Sequence, residues 1–336
     1  MRVTKAPAAR RIKVNKELSE FKDPKTGQSL HAIANTLLGS DGTHYPVVNS
    51  IPRFVLSENY AAAFGAQWNM FPRTQLDSHS GIAISESRLA RCMLGELESL
   101  AGKRVLEAGS GAGRFTEVLL KHGAVLHSFD YSNAVEANAA NNGASDRLTL
   151  AQADIRHIPF ERSSYDFVVC LGVIQHTPNP EESIRALWEM VKPGGALVID
   201  HYRWTLRWML PPPIRDCVGL YRWVMLKVPQ GARFSWVKRL TDFWFPTHWR
   251  FRDSLLIQRV LRRFSPVIFH YPGIRLKDRE AHYEWSLLDT HDSITDYYKH
   301  MRTPRQIEQL LGALGARDIV VRIGGNGVEA FCRKPC

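Results

Sequence analysis

The run Lys103-Arg-Val-Leu-Glu-Ala-Gly-Ser-Gly-Ala-Gly-Arg-Phe115 constrains this chain more than any other stretch. It reads as a buried strand over Arg104–Glu107, a tight glycine turn, and a helix starting near Arg114. Gly109, Gly111 and Gly113 alternate as G-x-G-x-G. Glycine reaches positive φ and, lacking Cβ, lets the backbone lie against a ligand. Such a turn points the free N–H groups of the next helix into the crevice at the carboxyl ends of a parallel sheet. The same motif also serves as a ligand-free strand-to-helix turn, so its neighbours must decide.

Those neighbours alternate strand and helix. Strands are expected at Arg104–Glu107, Val125–Phe129, Leu148–Gln152, Tyr165–Leu171 and Ala196–His201, with helices near 114–122, 133–141 and 180–191. Short apolar strands separated by helices imply an α/β fold whose parallel sheet is covered on both faces. Thr303–Gly315 has a helix start signal and a glycine stop. Asp318–Ile323 and Val328–Arg333 flank Gly324-Gly-Asn-Gly327 as a closing hairpin. Residues 202–302 are far too many for a loop and form a cap insertion. The chain therefore divides into a basic arm (1–16), a small N-terminal unit (17–56), a helical lead-in (57–102), the core (103–201), the insertion (202–302) and a core helix with closing hairpin (303–336). In the lead-in, Ser85–Leu100 carries Leu89, Met93, Leu97 and Leu100 at helical spacing. The cluster Gln67-Trp-Asn-Met-Phe71 either closes one side of a ligand site or packs on the core.

The net charge of +11 is unevenly placed. Residues 101–200 hold nine Lys/Arg against twelve Asp/Glu, a net of −3; residues 201–263 hold thirteen against three, a net of +10. Basicity belongs to the insertion, not the core. No apolar run reaches the roughly 18–20 residues of a membrane span. The N-terminus lacks a signal peptide's apolar core. The five cysteines form no C-x-x-C pair, which points to reduced thiols and a cytoplasmic setting, without a metal site or disulfide framework.

Four features fall at strand ends: the glycine turn, Asp130, Asp154 and Cys170-Leu-Gly-Val-Ile-Gln-His176. Asp130 stands 21 positions after Gly109, where a carboxylate can accept from ribose hydroxyls. Together with Gly172–Pro178 and Lys192-Pro-Gly-Gly195, these residues closely resemble the class I S-adenosylmethionine-dependent methyltransferases over 103–201 and again over 303–334. The resemblance implies a Rossmann-like, doubly wound, seven-stranded, mostly parallel sheet with a reversed last hairpin. It implies S-adenosylmethionine as cofactor, its methionine portion held by Glu107, Gly109, Gly111 and Gly113, its ribose by Asp130, its adenine by Asp154 and Ile155, with Tyr131 and Leu171 as further contacts. A dinucleotide-dependent dehydrogenase would need glycine at position 114, where Arg114 stands. Residues 17–56 resemble the zinc-ribbon-like domain that precedes some methyltransferases, but Asp23 and Thr26 stand where the first cysteine pair is expected, so metal binding is not carried over.

The activity implied is methyl transfer to a small-molecule or lipid-linked acceptor, at oxygen, with His176 as general base; capping helix Pro180–Val191 or packing structurally is the plainer role for the same side chain. His201, Tyr202, Tyr283, Trp285, Asp289 and His291 are the candidate acceptor contacts, and a merely structural cap is the alternative. Residues 203–263 carry six of the nine tryptophans together with the +10 charge. Such a segment suits peripheral membrane contact or a lipid-linked anionic substrate, and equally a helical cap with core aromatics and a solvated cationic face. Nucleic acid is disfavoured: no Asn/Asp-Pro-Pro-aromatic motif follows the fourth core strand, although an RNA-directed enzyme and a non-catalytic binding module remain the rival readings.

Overall fold

The computed structural model describes residues 20–56, 61–211, 214–271 and 273–336, without the side chains of 62–64, 66 and 207. The basic arm expected at 1–16 lies outside the described residues. Seven strands form the main sheet, ordered β10-β11-β9-β8-β5-β6-β7. They are β5 (Arg104–Ala108), β6 (Val125–Asp130), β7 (Leu148–Gln152), β8 (Tyr165–Cys170), β9 (Val191–His201), β10 (Arg317–Gly324) and β11 (Gly327–Arg333). β5 to β9 run parallel, and β11 is antiparallel to both of its neighbours. The chain proceeds outward from β5 through β6 to β7, then returns to place β8 on the other side of β5. This reversal is a topological switch point, where open α/β sheets hold ligands.

Helices α4 (Arg114–Lys121), α5 (Val135–Asn142), α6 (Pro180–Met190) and α11 (Pro304–Ala313) cover the sheet. Their starts follow local chemistry. Asn179 caps α6 by accepting from the Glu182 N–H at 3.2 Å, with Pro180 in the first turn. Thr303 and Gln306 make a reciprocal capping box on α11. Two buried clusters lie on opposite faces of the sheet, one around Leu106, Val168 and Ile199, the other around Val105, Leu119 and Val198.

The lead-in departs from expectation. It contains α1 (Ala62–Met70), α2 (Asp77–Ser80) and α3 (Ile84–Cys92). The helix expected to reach Leu100 stops at Cys92, because Leu94 and Gly95 turn left-handed (φ 55° and 89°), and a 3-10 turn follows. Leu89, Met93, Leu97 and Leu100 are nevertheless all buried, so the spacing located the buried face and not the length of the helix.

The N-terminal unit is a four-stranded antiparallel sheet: β1 (His31–Ile33), β2 (Thr36–Leu38), β3 (His44–Val48) and β4 (Ile51–Pro52). It shares a core with the main sheet: Phe21, Leu30, Leu37 and Tyr45 belong to the cluster around Leu106. Asp23 organises the first turn, accepting from Lys25 N (2.8 Å), Thr26 N (3.3 Å) and the Tyr45 hydroxyl (3.2 Å).

The insertion is helical: α7 (Val218–Met225), α8 (Gln230–Arg250), α9 (Leu255–Leu261) and α10 (Arg279–Thr295). α10 packs on α7 and α8 and also reaches α1. No helix among the described residues is long and apolar enough to cross a membrane.

Candidate active site

The glycine turn leaves β5 with φ values of 77°, 53° and 89° at Gly109, Gly111 and Gly113. Close packing adds to this conformational demand. A Cβ on Gly109 would stand 2.3 Å from Val173 Cγ2, and one on Gly111 would stand 3.3 Å from the Trp68 indole. Trp68 of α1 thus lies over the turn, and Asn69 ties α1 down by donating to the Asn133 carbonyl at 3.0 Å. Within the cluster at 67–71, Trp68 alone stands against the glycine turn, whereas Phe71 packs on Phe234 of the insertion and Met70 is exposed.

Glu107 is the last but one residue of β5 and is buried. Its Oε2 accepts from the Thr116 and Ser128 hydroxyls, while Oε1 has no partner. Burial pushes its carboxyl up to about 7, against the pull of those hydroxyls. The nearby Ser110 Oγ, in the glycine turn itself, is also buried without a partner. An unpaired acidic oxygen and a hydroxyl beside a glycine cradle fit a ligand carrying positive charge and polar hydrogens.

Asp130 ends β6. Its Oδ2 accepts from Gly111 N at 2.8 Å; its Oδ1 accepts from Ser132 N at 2.8 Å and Ser132 Oγ at 2.7 Å. A carboxylate has about four acceptor positions, so one remains for a ribose hydroxyl, and a second requires the Ser132 hydroxyl to turn away. Burial raises its pKa. Asp154 is paired with Arg156 through both oxygens, at 3.1 and 2.7 Å. An adenine amino group there would share the carboxylate with that guanidinium. Ile155 and Leu171 are core residues, 6% and 5% exposed, whereas Tyr131 is half-buried near Asp154 and Tyr298.

His176 sits in a 3-10 turn after β8. Its Nδ1–H donates to the Tyr298 carbonyl at 3.2 Å, with Asp296 Oδ2 3.5 Å away. Its ring meets Tyr202 edge-on, centroids 5.3 Å apart. The helix-cap alternative fails, because Asn179 fills that place. Burial lowers the pKa of His176 to about 4, so the ring is neutral near pH 7. With its proton on Nδ1, Nε2 carries the lone pair. Asp296 is itself fully buried and takes Arg222 Nε at 2.6 Å and Lys299 Nζ at 3.3 Å. Sequence reasoning missed Asp296 and Arg222; the only signal was that Asp292 and Asp296 share a face at i, i+4 near the end of α10.

The candidate acceptor residues separate into groups. Asp289 is central: it accepts from Gln75 at 3.0 Å and Trp285 at 3.1 Å, and faces His270 at 2.6 Å. His291 donates to Gln67 on α1. Burial lowers both His291 and His201 to about 4. His201 Nδ1 donates to its neighbour's carbonyl at 3.0 Å, and its Nε2 is buried without a partner. Tyr202 lies beside His176, with its pKa raised first by burial and then by Asp292 and Asp296. Tyr283 departs from expectation: its hydroxyl is spent on Asp242 and its ring packs on Phe245, within the insertion's own core. Sequence reasoning also missed Arg88 and Arg114. Arg88 pairs with Asp200, which accepts from Gly172 N at 2.6 Å. Arg114 donates to Gln75, and burial lowers it to about 10. Both guanidiniums keep a buried Nε without a partner.

Residues 106–199 match the family model described as a methyltransferase domain. A protein of Coxiella burnetii named ubiquinone biosynthesis O-methyltransferase is 32% identical over 101 residues, covering 30% of this chain and 43% of that protein. One of the same name from Pseudomonas entomophila is 36% identical over 106 residues, covering 30% and 44%. The chain thus spans less than half the length of the curated relatives it matches. The crystal structure of a putative S-adenosyl-L-methionine-dependent methyltransferase from Methanococcus maripaludis aligns over 84% of this chain and 97% of that one at 14% identity and a TM-score of 0.45, too loose a likeness to weigh. The family match thus places a methyltransferase domain over residues 106–199, the stretch that forms the parallel strands and the glycine cradle with its two acids.

Proposed function

We propose that the protein transfers a methyl group from S-adenosylmethionine to an oxygen of a small-molecule or lipid-linked acceptor, with His176 as general base. The observation that carries this reading is the cradle of Glu107, the three glycines and Asp130 at the switch point, under α1 and α10. Glu107 and Ser110 would hold the amino-acid portion, Asp130 the ribose, and Asp154 with Ile155 the adenine. When bound, S-adenosylmethionine supplies an electrophilic methyl group on a sulfonium and departs as a neutral thioether. The acceptor oxygen forms the new bond with its lone pair, and its proton passes to His176 Nε2. Asp296, 3.5 Å from Nδ1, opposes the positive charge that the ring then acquires. Arg88 and Arg114 hold and align the acceptor, and alignment alone is worth up to roughly 7–11 kcal/mol. The relatives' names support oxygen as the acceptor atom. Peripheral contact with an anionic lipid surface through residues 203–263 belongs to the same reading, since four of the six tryptophans there are exposed: Trp204, Trp208, Trp223 and Trp236.

Calorimetric titration with S-adenosylmethionine and S-adenosylhomocysteine tests the reading. Saturable binding of both is expected, weakened at least tenfold in Asp130→Ala. Absence of binding, or an unchanged affinity in that variant, would overturn it.

A further inference from the structure

The insertion holds a groove of about 660 Å³ far from the glycine turn in sequence. Its walls include Leu220 and Val224 of α7, Trp236 and Leu240 of α8, and Phe264 and Arg263 after α9. Leu220, Val224, Trp236 and Phe264 are each 41–52% exposed, and Trp223 beside them is 58% exposed. Keeping such surface in water is unfavourable, and contiguous apolar surface of this kind marks a binding site. The lining is predominantly apolar, with Tyr221, Cys217 and one cation, Arg263, as its polar members. More cations stand next to lining residues in the chain: Lys227, before Val228, has its Nζ 3.5 Å from the centroid of the Trp223 ring, and Arg239, before Leu240, has its guanidinium 5.1 Å from that of Trp236. An apolar floor with cations beside it complements an amphiphile whose head is negative.

The helix that walls the groove also reaches toward the candidate base. Arg222 lies on α7 between the two groove residues Leu220 and Val224. It donates through Nε to Asp296 Oδ1 at 2.6 Å and through Nη2 to the Asp296 and Tyr297 carbonyls at 2.8 and 2.9 Å. Asp296 in turn faces His176. One helix therefore forms a wall of the groove with Leu220 and Val224 and, two residues from each and on its other side, orients the group that polarises the base.

We infer that this groove binds the hydrocarbon tail of an anionic amphiphile, namely the tail of the methyl acceptor. The inference rests on the methyltransferase reading for the word acceptor, and on the groove alone for the tail. Monomeric palmitate is the probe, added to the full chain and followed by tryptophan fluorescence. Saturable binding is expected, weakened at least tenfold by Leu220→Glu or Val224→Glu and severalfold by Arg263→Glu. These side chains lie at an exposed surface, and unchanged melting and S-adenosylmethionine titration in each variant verify that the fold and the cofactor site stand. Loss of S-adenosylmethionine binding in the unaltered protein would sink the methyltransferase reading and leave the palmitate result to judge the groove. Palmitate that fails to saturate, or that binds Leu220→Glu and Val224→Glu normally, overturns the groove. So does binding to phosphatidylglycerol vesicles without binding of the monomer. With labelled methyl donor and a total lipid extract, label is expected in the organic phase, and much less of it with Leu220→Glu. Label absent from the organic phase overturns the assignment of the tail to the acceptor.

Discussion

Glu107 and His176 are buried groups whose protonation is set by their surroundings, in opposite senses. Glu107 is raised to about 7 by burial, so near pH 6 it is largely protonated. A cationic ligand beside it favours the ionised form. Cofactor binding below pH 7 should therefore release a proton, detectable as a dependence of the calorimetric heat on buffer ionisation enthalpy. Glu107→Gln should abolish that part of the release and weaken binding above pH 7; identical heats in the two proteins would remove Glu107 from the site. His176 is lowered to about 4, so the unfolded chain, at about 6.5, binds the proton more readily. Its neutral form stabilises the fold above pH 6.5, and that contribution is lost as the pH falls through about 4. Urea midpoints at pH 7 and pH 4.5 should differ less in His176→Gln than in the parent. As general base it should also contribute about 10²-fold or more to turnover. The variant should lose that activity while binding S-adenosylmethionine normally.

The glycine turn and α1 show how an element narrows what one residue may be. The turn was legible in the sequence because three alternate glycines follow an apolar strand and acids fall at the ends of the next strands, Asp130 among them by strand periodicity. The wall opposite was only partly legible. Trp68 stood out as an aromatic, but its seat over Gly111 depends on α1 being fastened to Asn133, a contact 64 residues distant. Asp296 and Arg222 were invisible for the same reason: their partners lie 120 and 74 residues away. The helix break at Leu94–Gly95 was missed because apolar spacing survives a change of helix type. Gly109→Ala should drive a methyl group into Val173 in a left-handed backbone, so cofactor affinity should fall at least tenfold. Gly312→Ala, in α11 with nothing within 4 Å of the added carbon, should raise stability by about 0.5–1 kcal/mol. Equal effects of the two substitutions on cofactor titration would show that the turn does not touch the ligand.

The three parts of the molecule are joined through buried contacts at two borders. The insertion meets the core along α10, where Gln67 and Gln75 of the lead-in reach His291 and Asp289. The N-terminal sheet meets it along β7, where Phe54 N donates to the Gln152 carbonyl at 2.8 Å. In the sequence, residues 17–56 stand apart as a small unit because their turn chemistry and prolines differ from the strand–helix rhythm of the core. Nothing in their spacing shows that Leu37 and Tyr45 share one apolar cluster with Phe129 and Ile199. That sharing has a thermodynamic consequence. Leu37 is fully buried, and Leu37→Ala should cost about 2–5 kcal/mol through lost transfer energy and the cavity left behind. Because the cavity opens into the cluster that also backs the cofactor strands, unfolding should remain a single transition, shifted to lower temperature in far-UV circular dichroism and in cofactor-binding competence together. An early transition confined to the N-terminal sheet, with S-adenosylmethionine binding intact beyond it, would mean that the sheet folds as an independent unit despite the shared core.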